Sequence, residues 1–315
     1  MKGLVYKSTG SWYTVKAEND SFYECRIKGK FRIQGIKSTN PIAVGDWVDF
    51  EVEDNESQLQ GVIHQIYDRK NYIIRKSVNL SKQTHIIAAN IDCVFLMITL
   101  NNPPTHPAFI DRFLVAAEAF GIPVVLLFNK EDVYSKEERT QVQDLKAVYE
   151  KIGYECIEIS ALQGHNVERV QAKMKAKVSI FSGHSGVGKS TLVNTIAPFL
   201  AIKTASISVQ HSQGQHTTTF AQMYDLDFDA KIIDTPGIKG FGVVEMEKSE
   251  IGNYFPEFFK RKSECKFNNC LHKEEPNCAV KKALDEGKIA LSRYKSYCSL
   301  VEGEEEHYRT DFWTE

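Results

Sequence analysis

The segment "GHSGVGKST", residues 183–191, restricts most strongly the folds that this chain can adopt. It fits the pattern G-x-x-x-x-G-K-[S/T], follows the apolar run "VSIFSG", and precedes a helix-like run that we expect to reach Phe199. Glycines let backbone N–H groups approach phosphate oxygens, and a helix N-terminus adds partial positive charge. A glycine-rich turn without a ligand is the alternative, but such a turn seldom stands between a strand and a helix. The pattern therefore predicts a nucleotide-phosphate site in an α/β domain.

Side chains of this loop have separate expected roles. Lys189 would reach the β- and γ-phosphates, and the Ser190 hydroxyl would bind Mg²⁺. The predicted nucleotide contacts in the loop are Gly183, His184, Ser185, Gly186, Val187, Gly188, Lys189, Ser190 and Thr191.

Two later segments suit the same nucleotide. "DTPG" (234–237) follows the apolar run "AKII", so Asp234 is a candidate outer-sphere Mg²⁺ ligand and the Gly237 N–H can face the γ-phosphate. "GQHTTT" (214–219) lies between the two segments, and one of its threonines could complete the Mg²⁺ sphere when the γ-phosphate is present. We choose Thr218 among the three adjacent threonines.

The segment "NKED" (129–132) predicts which base is bound. The Asp132 carboxylate can accept hydrogen bonds from the N1–H and N2 amine of guanine, while Asn129 contacts the base from another side. Adenine has no matching donors and would leave the carboxylate unpaired. "ISAL" (159–162) ends the next strand and fits the second guanine contact of GTPases. The predicted GTP contacts in these two loops are Asn129, Lys130, Glu131, Asp132, Ser160 and Ala161.

The order of these segments is unusual. In ordinary small GTPases the phosphate loop comes first, whereas here both guanine loops precede it. The order indicates a circular permutation, which a domain tolerates when its usual ends lie close together. The segment after "DTPG" then leads directly into the C-terminal part of the chain.

Periodicity divides the chain into three regions. Residues 1–75 read as five short strands: "GLVYKSTGSWYTVKA", "SFYECRIKG", "FRIQGI", "DWVDFEVE" and "QGVIHQIY". Five short strands favour an OB-like β-barrel, with an SH3-like barrel or a small sandwich as alternatives. Strands and helices alternate from about residue 90, as in a doubly wound α/β domain. We expect a multidomain protein with an OB-like β-barrel (1–75), a circularly permuted P-loop GTPase domain (76–243) and a mainly helical zinc-binding module (244–315).

The last region contains the segment "CKFNNCLHKEEPNC". Three thiolates and one imidazole at this spacing predict one structural Zn²⁺ site, because such sites are closed by four nitrogen and sulfur ligands. Buried free cysteines beside a surface histidine are the alternative. The predicted ligands are Cys265, Cys270, His272 and Cys278, with Cys298 as a substitute that we favour instead as a helix residue.

Composition limits the class of protein and the compartment in which we expect it. Apolar residues make up 42% and charged residues 25%, and the formal net charge is −2, so no global attraction to nucleic acid is visible. The apolar runs are too short to span a bilayer, and the N-terminus lacks the long apolar core of a secretory signal. We therefore expect a cytoplasmic protein without membrane contact. A local basic cluster, "CRIKGKFRIQGIK" (25–37), suits a strand facing phosphates, although a solvated face explains most such runs.

Together, "NKED", "GHSGVGKST", "GQHTTT", "DTPG" and the cysteine–histidine spacing closely resemble the ribosome small-subunit-dependent GTPase A family. The resemblance covers nearly the whole chain. It implies a GTPase that binds ribosomal RNA of the small subunit late in maturation and leaves after hydrolysing GTP. We expect a monomer that binds GTP and GDP, with Mg²⁺ and one structural Zn²⁺.

Water activation needs a separate explanation. In Ras-like enzymes a glutamine just after the D-x-x-G segment orients the attacking water, but here Ile238 occupies that place. His216 in "GQHTTT" is the nearest candidate in sequence, and the family resemblance points to the same residue. The alternative is that His216 packs or contacts RNA.

Three functions fit these observations: a ribosome-assembly GTPase, a GTP-dependent switch acting on another RNA or protein, and a nucleotide-binding regulator without meaningful turnover. GTPase assays with and without small subunits distinguish them.

Overall fold

The computed structural model describes residues 1–27, 41–53, 59–76, 84–200, 221–234 and 246–303. The strands and helices below are those of these ranges.

The N-terminal strands form a closed barrel. Its strands are β1 (Lys2–Ser8), β2 (Tyr13–Ala17), β3 (Phe22–Ile27), β4 (Trp47–Glu53) and β5 (Gln60–Ile66). They pair in the order β1-β2-β3-β5-β4, and β4 pairs back onto β1. This strand order and closure confirm the OB-like barrel, and the closure excludes a small sandwich.

The barrel differs from the prediction in one detail. The run from Gly3 to Ala17 is two strands rather than one, because the chain turns at Gly10, whose φ of 88° is left-handed. Another predicted strand, "FRIQGI", lies outside the described residues. Every second side chain along these strands points into the barrel. Val5, Val15 and Phe50 are examples, and all three are completely buried in its core.

A hairpin that the sequence analysis did not predict follows the barrel. It pairs β6 (Tyr72–Lys76) with β7 (Thr84–Ala89). Ile73 and Ala88 are buried in a core that also contains Leu4 of the barrel and Val94 of the next domain. The hairpin therefore belongs to the junction between the two domains, where its apolar face is covered from both sides.

The central domain has a mainly parallel sheet in the order β10-β9-β8-β11-β13-β12. Only β12 runs antiparallel to its neighbour β13. The six strands are β8 (Cys93–Ile98), β9 (Val124–Asn129), β10 (Glu155–Ile159), β11 (Val178–Ser182), β12 (Gln222–Leu226) and β13 (Ala230–Asp234). Strand β11, which leads into the phosphate loop, lies between β8 and β13 near the middle of the sheet.

Helices cover both faces of this sheet. They are α1 (Pro107–Ala119), α2 (Lys136–Ile152), α3 (Val167–Met174) and α4 (Lys189–Ile196), with a 3₁₀ turn at Glu131–Val133. α1 and α2 share one core with the sheet, and α3 and α4 share the other. Because both faces are buried, every residue of Cys93–Ile98 is buried, which accounts for its unbroken apolar sequence.

Asp225 of β12 joins the barrel to the central sheet. Its carboxylate accepts hydrogen bonds from the Tyr6 hydroxyl at 2.6 Å and from the Lys16 ammonium at 2.9 Å, and it pairs with Lys231 at 3.0 Å. Burial alone would raise the pKa of Asp225, but the hydrogen bonds from Lys16, Tyr6 and Lys231 lower it overall. Strands β1 and β12 are also bridged at Lys7 and Gln222, so the five barrel strands and the six strands of the central domain form one continuous sheet, separate from the β6–β7 hairpin.

The C-terminal region is helical, as predicted. It contains α5 (Lys248–Ile251), α6 (Pro256–Lys262), α7 (Ala279–Asp285) and α8 (Leu291–Glu302), with a 3₁₀ turn at Gly252–Tyr254. α8 packs against α1 of the central domain. Within the described ranges, no helix combines the length and apolarity needed to cross a membrane.

A buried ion cluster fixes this packing. The Arg293 guanidinium of α8 donates to Asp111 of α1 at 2.8 Å and to Glu257 of α6 at 2.7 Å, and it lies over the Phe255 ring at 4.5 Å. Tyr149 of α2 donates its hydroxyl to the same Asp111 carboxylate at 2.9 Å. Charged groups of three helices therefore meet in a region shielded from water.

Candidate nucleotide site and metal centre

The phosphate loop lies between β11 and α4, at the carboxyl edge of the parallel sheet. Gly183 and Gly188 both have left-handed φ angles, of 139° and 103°. A Cβ at Gly183 would lie 2.6 Å from the Met97 carbonyl oxygen, and one at Gly188 would lie 2.3 Å from the Asn129 amide nitrogen. Only glycine therefore fits these two positions, and the loop packs directly on the ends of β8 and β9.

Two charged or titratable side chains belong to this loop. The Lys189 ammonium donates to the backbone carbonyls of Gly183 at 2.7 Å and His184 at 2.5 Å, so it lies across the loop itself. The His184 ring stacks on Phe109 of α1 with 3.8 Å between ring centroids. Burial, together with the positive charge of Lys189 nearby, lowers the pKa of His184 and favours its neutral form.

The Asn129 side chain connects three loops. Its amide nitrogen donates to the Val187 carbonyl of the phosphate loop at 2.8 Å, and its carbonyl oxygen accepts from the Ala161 N–H at 2.9 Å. Asn129 is only 2% exposed, so an unpaired amide here would be costly. The two predicted guanine segments and the phosphate loop are thus brought together by one side chain.

The remainder of "NKED" turns back at Lys130, whose φ of 70° is left-handed. Lys130 donates to the Asn102 carbonyl, and Glu131 pairs with the His165 ring. Asp132, in contrast, makes no hydrogen bond or ion pair with any residue that the structure describes. Its carboxylate is therefore available for a ligand.

His165 connects the two guanine segments, and sequence reasoning missed it. Its carbonyl accepts the Ser160 N–H at 3.2 Å, while its ring pairs with Glu131. The Ser160 hydroxyl accepts the Gln163 N–H at 3.1 Å, which closes the turn after "ISA". No motif marks His165, because its contact depends on how the two loops approach one another.

Asp234 lies at the end of β13, on the same edge of the sheet as the phosphate loop. Burial raises its pKa, and its side-chain carboxylate has no hydrogen-bonding or ionic partner within the ranges that are described. A half-buried carboxylate without a protein partner fits a bound cation, and oxygen ligands are those that Mg²⁺ prefers. The other predicted residues of this region, His216, Thr218 and Gly237, lie outside the described residues.

The four predicted zinc ligands come together in the C-terminal region. One ligand atom from each of Cys265, Cys270, His272 and Cys278 lies within 4.8 Å of all the others. The His272 Nδ1 is 3.4 Å from the Cys278 sulfur and 3.7 Å from the Cys265 sulfur. These separations suit ligands around one tetrahedral ion, whose bonds of about 2.0–2.3 Å place ligand atoms nearly 4 Å apart.

The chemistry of this cluster also fits a metal ion. Burial raises the pKa of the Cys270 thiol to about 12, so ionisation of this thiol needs a compensating positive charge. Tyr294 and Tyr297 of α8 donate hydroxyl hydrogen bonds to the carbonyls of His272 and Leu271, at 2.7 Å and 2.6 Å. Cys298 lies on α8, as predicted, and is not part of the set.

The fold and these loops define the class of protein: a GTPase whose domain is circularly permuted, with an N-terminal barrel and a C-terminal cysteine–histidine centre. A family model described as "RsgA GTPase" matches residues 66–244, and one described as "RsgA N-terminal domain" matches residues 2–63. The chain belongs to the RsgA GTPase family.

Relatives cover almost the whole chain. A Christiangramia forsetii protein named small ribosomal subunit biogenesis GTPase RsgA is 68% identical over 311 residues, which are 99% of this chain and 99% of the relative. A Bacteroides fragilis protein of the same name is 54% identical over 306 residues, which are 97% of this chain and 98% of the relative.

Two solved structures are similar. The crystal structure of YjeQ from Thermotoga maritima has a TM-score of 0.78 and 33% identity, over 96% of this chain and 97% of the other. The structure of YloQ, described as a circularly permuted GTPase, has a TM-score of 0.75 and 27% identity, over 96% of this chain and 94% of the other. These findings confirm the predicted fold class and the GTP hydrolase activity.

We predict that the cysteine–histidine centre holds about one metal ion per chain, because it offers a complete set of four ligands. Elemental analysis of protein purified without chelator checks this. Cys270→Ser should lose the ion and lower the thermal midpoint of the C-terminal region, since metal binding of this kind contributes folding free energy directly. Cys298→Ser, a matched change outside the set, should keep the ion. A metal-free wild-type protein with this region folded would contradict the prediction.

Proposed function

We propose that this protein binds the small ribosomal subunit late in its maturation and hydrolyses GTP to GDP and phosphate, and that hydrolysis drives its release. The observation that carries the proposal is the Asn129 amide, which joins both guanine segments to the phosphate loop. The ribosomal partner is supported by the curated relatives, which are named for small ribosomal subunit biogenesis.

Guanine recognition is assigned to the loops after β9 and β10. The Asp132 carboxylate, which has no described protein partner, accepts hydrogen bonds from the base N1–H and N2 amine. Asn129 and the Ser160–Ala161 backbone complete the pocket, and the contact between Glu131 and His165 keeps the two loops in register. Adenine is rejected because it would leave the Asp132 carboxylate unpaired.

The phosphates are assigned to residues 183–191 and Gly237. Backbone N–H groups at the start of α4 and the Lys189 ammonium bind the phosphate oxygens, with Lys189 exchanging its present carbonyl acceptors for them. Ser190, Thr218 and Asp234 would hold Mg²⁺, which supplies positive charge against the β- and γ-phosphates. The desolvated Asp234 carboxylate suits this role.

Water activation is assigned to His216. Its imidazole orients a water beside the γ-phosphate, a role that Ile238 cannot perform because its side chain has no hydrogen-bonding group. We infer that His216 acts fully only when the protein is bound to the ribosomal subunit, so hydrolysis is slow in the free protein.

The remaining assignments concern the outer regions. Zn²⁺ is the proposed metal of the cysteine–histidine centre, because structural zinc prefers tetrahedral sulfur and nitrogen ligands.

The basic segment 25–37 is proposed to contact ribosomal RNA. Of its cations Arg26 is described, and it pairs with Glu53 at 2.7 Å, so RNA phosphate would have to displace that carboxylate. We propose a cytoplasmic monomer with domains 1–75, 76–243 and 244–315.

The function is tested by measuring GTP hydrolysis with and without purified small ribosomal subunits. We expect slow turnover alone and faster turnover with small subunits, but no stimulation by large subunits. Turnover that subunits leave unchanged would favour a switch acting on another partner, and GTP binding without any turnover would favour a non-hydrolysing regulator.

Asp132→Asn should weaken GTP binding by about 10- to 100-fold, because hydrogen bonds to a charged group contribute about 1.5–3 kcal/mol. The variant should gain affinity for xanthosine triphosphate, whose C2 carbonyl can accept from the new amide. Fluorescent-nucleotide competition measures both affinities. Glu168→Gln, an acid-to-amide change on α3 outside the guanine segments, should keep the affinity and the preference for guanine. Equal GTP binding by Asp132→Asn and wild type would remove Asp132 from this role.

His216→Ala should bind GTP with nearly wild-type affinity but lose most of the subunit-stimulated turnover, by roughly 10²-fold or more. His211→Ala, a change in the same histidine-containing stretch, is the matched control and should retain stimulation. Single-turnover hydrolysis on small subunits separates the chemical step from product release. If His216→Ala is stimulated to the wild-type rate, the water is oriented by another group.

A further inference from the structure

A second cleft lies away from the nucleotide site, between α2 of the GTPase domain and the C-terminal region. Its volume is about 370 Å³, and its walls come from α2, α6 and the loop between α7 and α8. Its apolar lining includes the partly buried Val148 and the buried Ile289. The cleft therefore spans the junction of two domains and is open to solvent.

Cations dominate the rim of this cleft. The lining residues include four basic side chains, one from α2, two from α6 and one from the loop before α8: Lys151, Lys260, Arg261 and Lys288. Among the residues that the structure describes, two acids line it as well, Asp144 and Glu257. One of these is neutralised inside the protein, because the Glu257 carboxylate is buried against the Arg293 guanidinium at 2.7 Å.

Most of the positive charge is not cancelled by acidic partners. Lys151 donates to the Gly287 carbonyl at 2.8 Å, and Arg261 donates to the Glu257 backbone carbonyl at 2.7 Å, so both cations pair with neutral groups. Lys260 is exposed and has no ionic or hydrogen-bonding partner among the residues described here. Lys288 alone pairs with an acid, Glu286, at 2.6 Å.

The lowered pKa of Glu286 is a second sign of positive charge around this cleft. Its pKa is lowered first by the hydrogen bond from Lys288 and then by the charges of Lys288, Lys282 and Arg261. Cations near helix C-termini can instead serve only to offset the helix dipole. That explanation covers Lys151, Lys260 and Arg261, which lie in the last turns of α2 and α6. It does not cover Lys288, which lies outside the described helices.

We propose that this cleft, formed by α2, α6 and the α7–α8 loop, binds the phosphodiester backbone of ribosomal RNA. The inference rests on the proposed function, because the small subunit supplies the polyanion. Lysine ammonium groups act as point charges that suit phosphate, and an open cleft can follow a continuous backbone. RNA bound there would contact the GTPase domain and the C-terminal region simultaneously.

Binding of the full-length protein, loaded with a non-hydrolysable GTP analogue, to purified small subunits tests the proposal between 50 and 200 mM salt. Lys260→Ala with Lys288→Ala should weaken binding and make log K against log salt shallower by roughly 0.7–0.9 per lost contact. Asp144→Asn should strengthen binding, because it removes the remaining uncompensated carboxylate of the lining. A merely destabilising change would not improve affinity.

Lys136→Glu, a charge change at the opposite end of α2, is the matched control and should bind like wild type. Wild-type affinity and salt slope in the lysine double variant would overturn the cleft proposal alone. An equal loss at every salt concentration would also overturn it, since it would indicate a ribosomal protein surface instead of RNA phosphate. Failure of wild-type protein to bind small subunits would overturn the proposed function itself.

Discussion

The buried amide of Asn129 is the contact on which the nucleotide site depends. One side chain donates to the phosphate loop and accepts from the second guanine segment. It can do both because β9 and β11 flank β8, and the loops after them meet at one edge of the sheet. Gly188 permits the close approach, since any Cβ there would collide with the amide. The circular permutation leaves this geometry intact, because it changes the chain order and not the strand neighbours.

A second constraint is the buried cluster around Arg293. Its pairing with Asp111 and Glu257 is expensive to desolvate, so it contributes less to net stability than to a unique docking geometry. Helix α1 carries Asp111 in this cluster and also Phe109, which stacks on His184 of the phosphate loop. One rigid helix thus contacts both the nucleotide loop and the C-terminal region. The cleft that we propose for RNA is formed by the same docking.

The N-terminal barrel is joined to the central domain by strand pairing and by one carboxylate, not by a buried ion cluster between helices. Its β1 strand continues the central sheet through β12, and Asp225 ties the two with hydrogen bonds from Tyr6 and Lys16. Strand β12 begins directly after residues 201–220, which include the predicted threonine and histidine of the switch. The barrel is therefore attached next to the chain segment to which we assign catalysis.

Sequence alone determined the features that depend on local pattern. Buried parallel strands need continuous apolar runs, a phosphate loop needs glycines before a helix, and a metal centre needs ligands at short spacing. The fold class and the clustering of Cys265, Cys270, His272 and Cys278 were therefore predictable, while the nucleotide roles of the individual loop residues stay predictions.

Only the tertiary structure decided the contacts between residues far apart in the chain. Asp111 and Arg293 are 182 positions apart, and Glu131 meets His165 across two loops, so no periodicity could indicate either pair. The β6–β7 hairpin escaped prediction for the same reason, because its apolar face is covered only when two domains pack together.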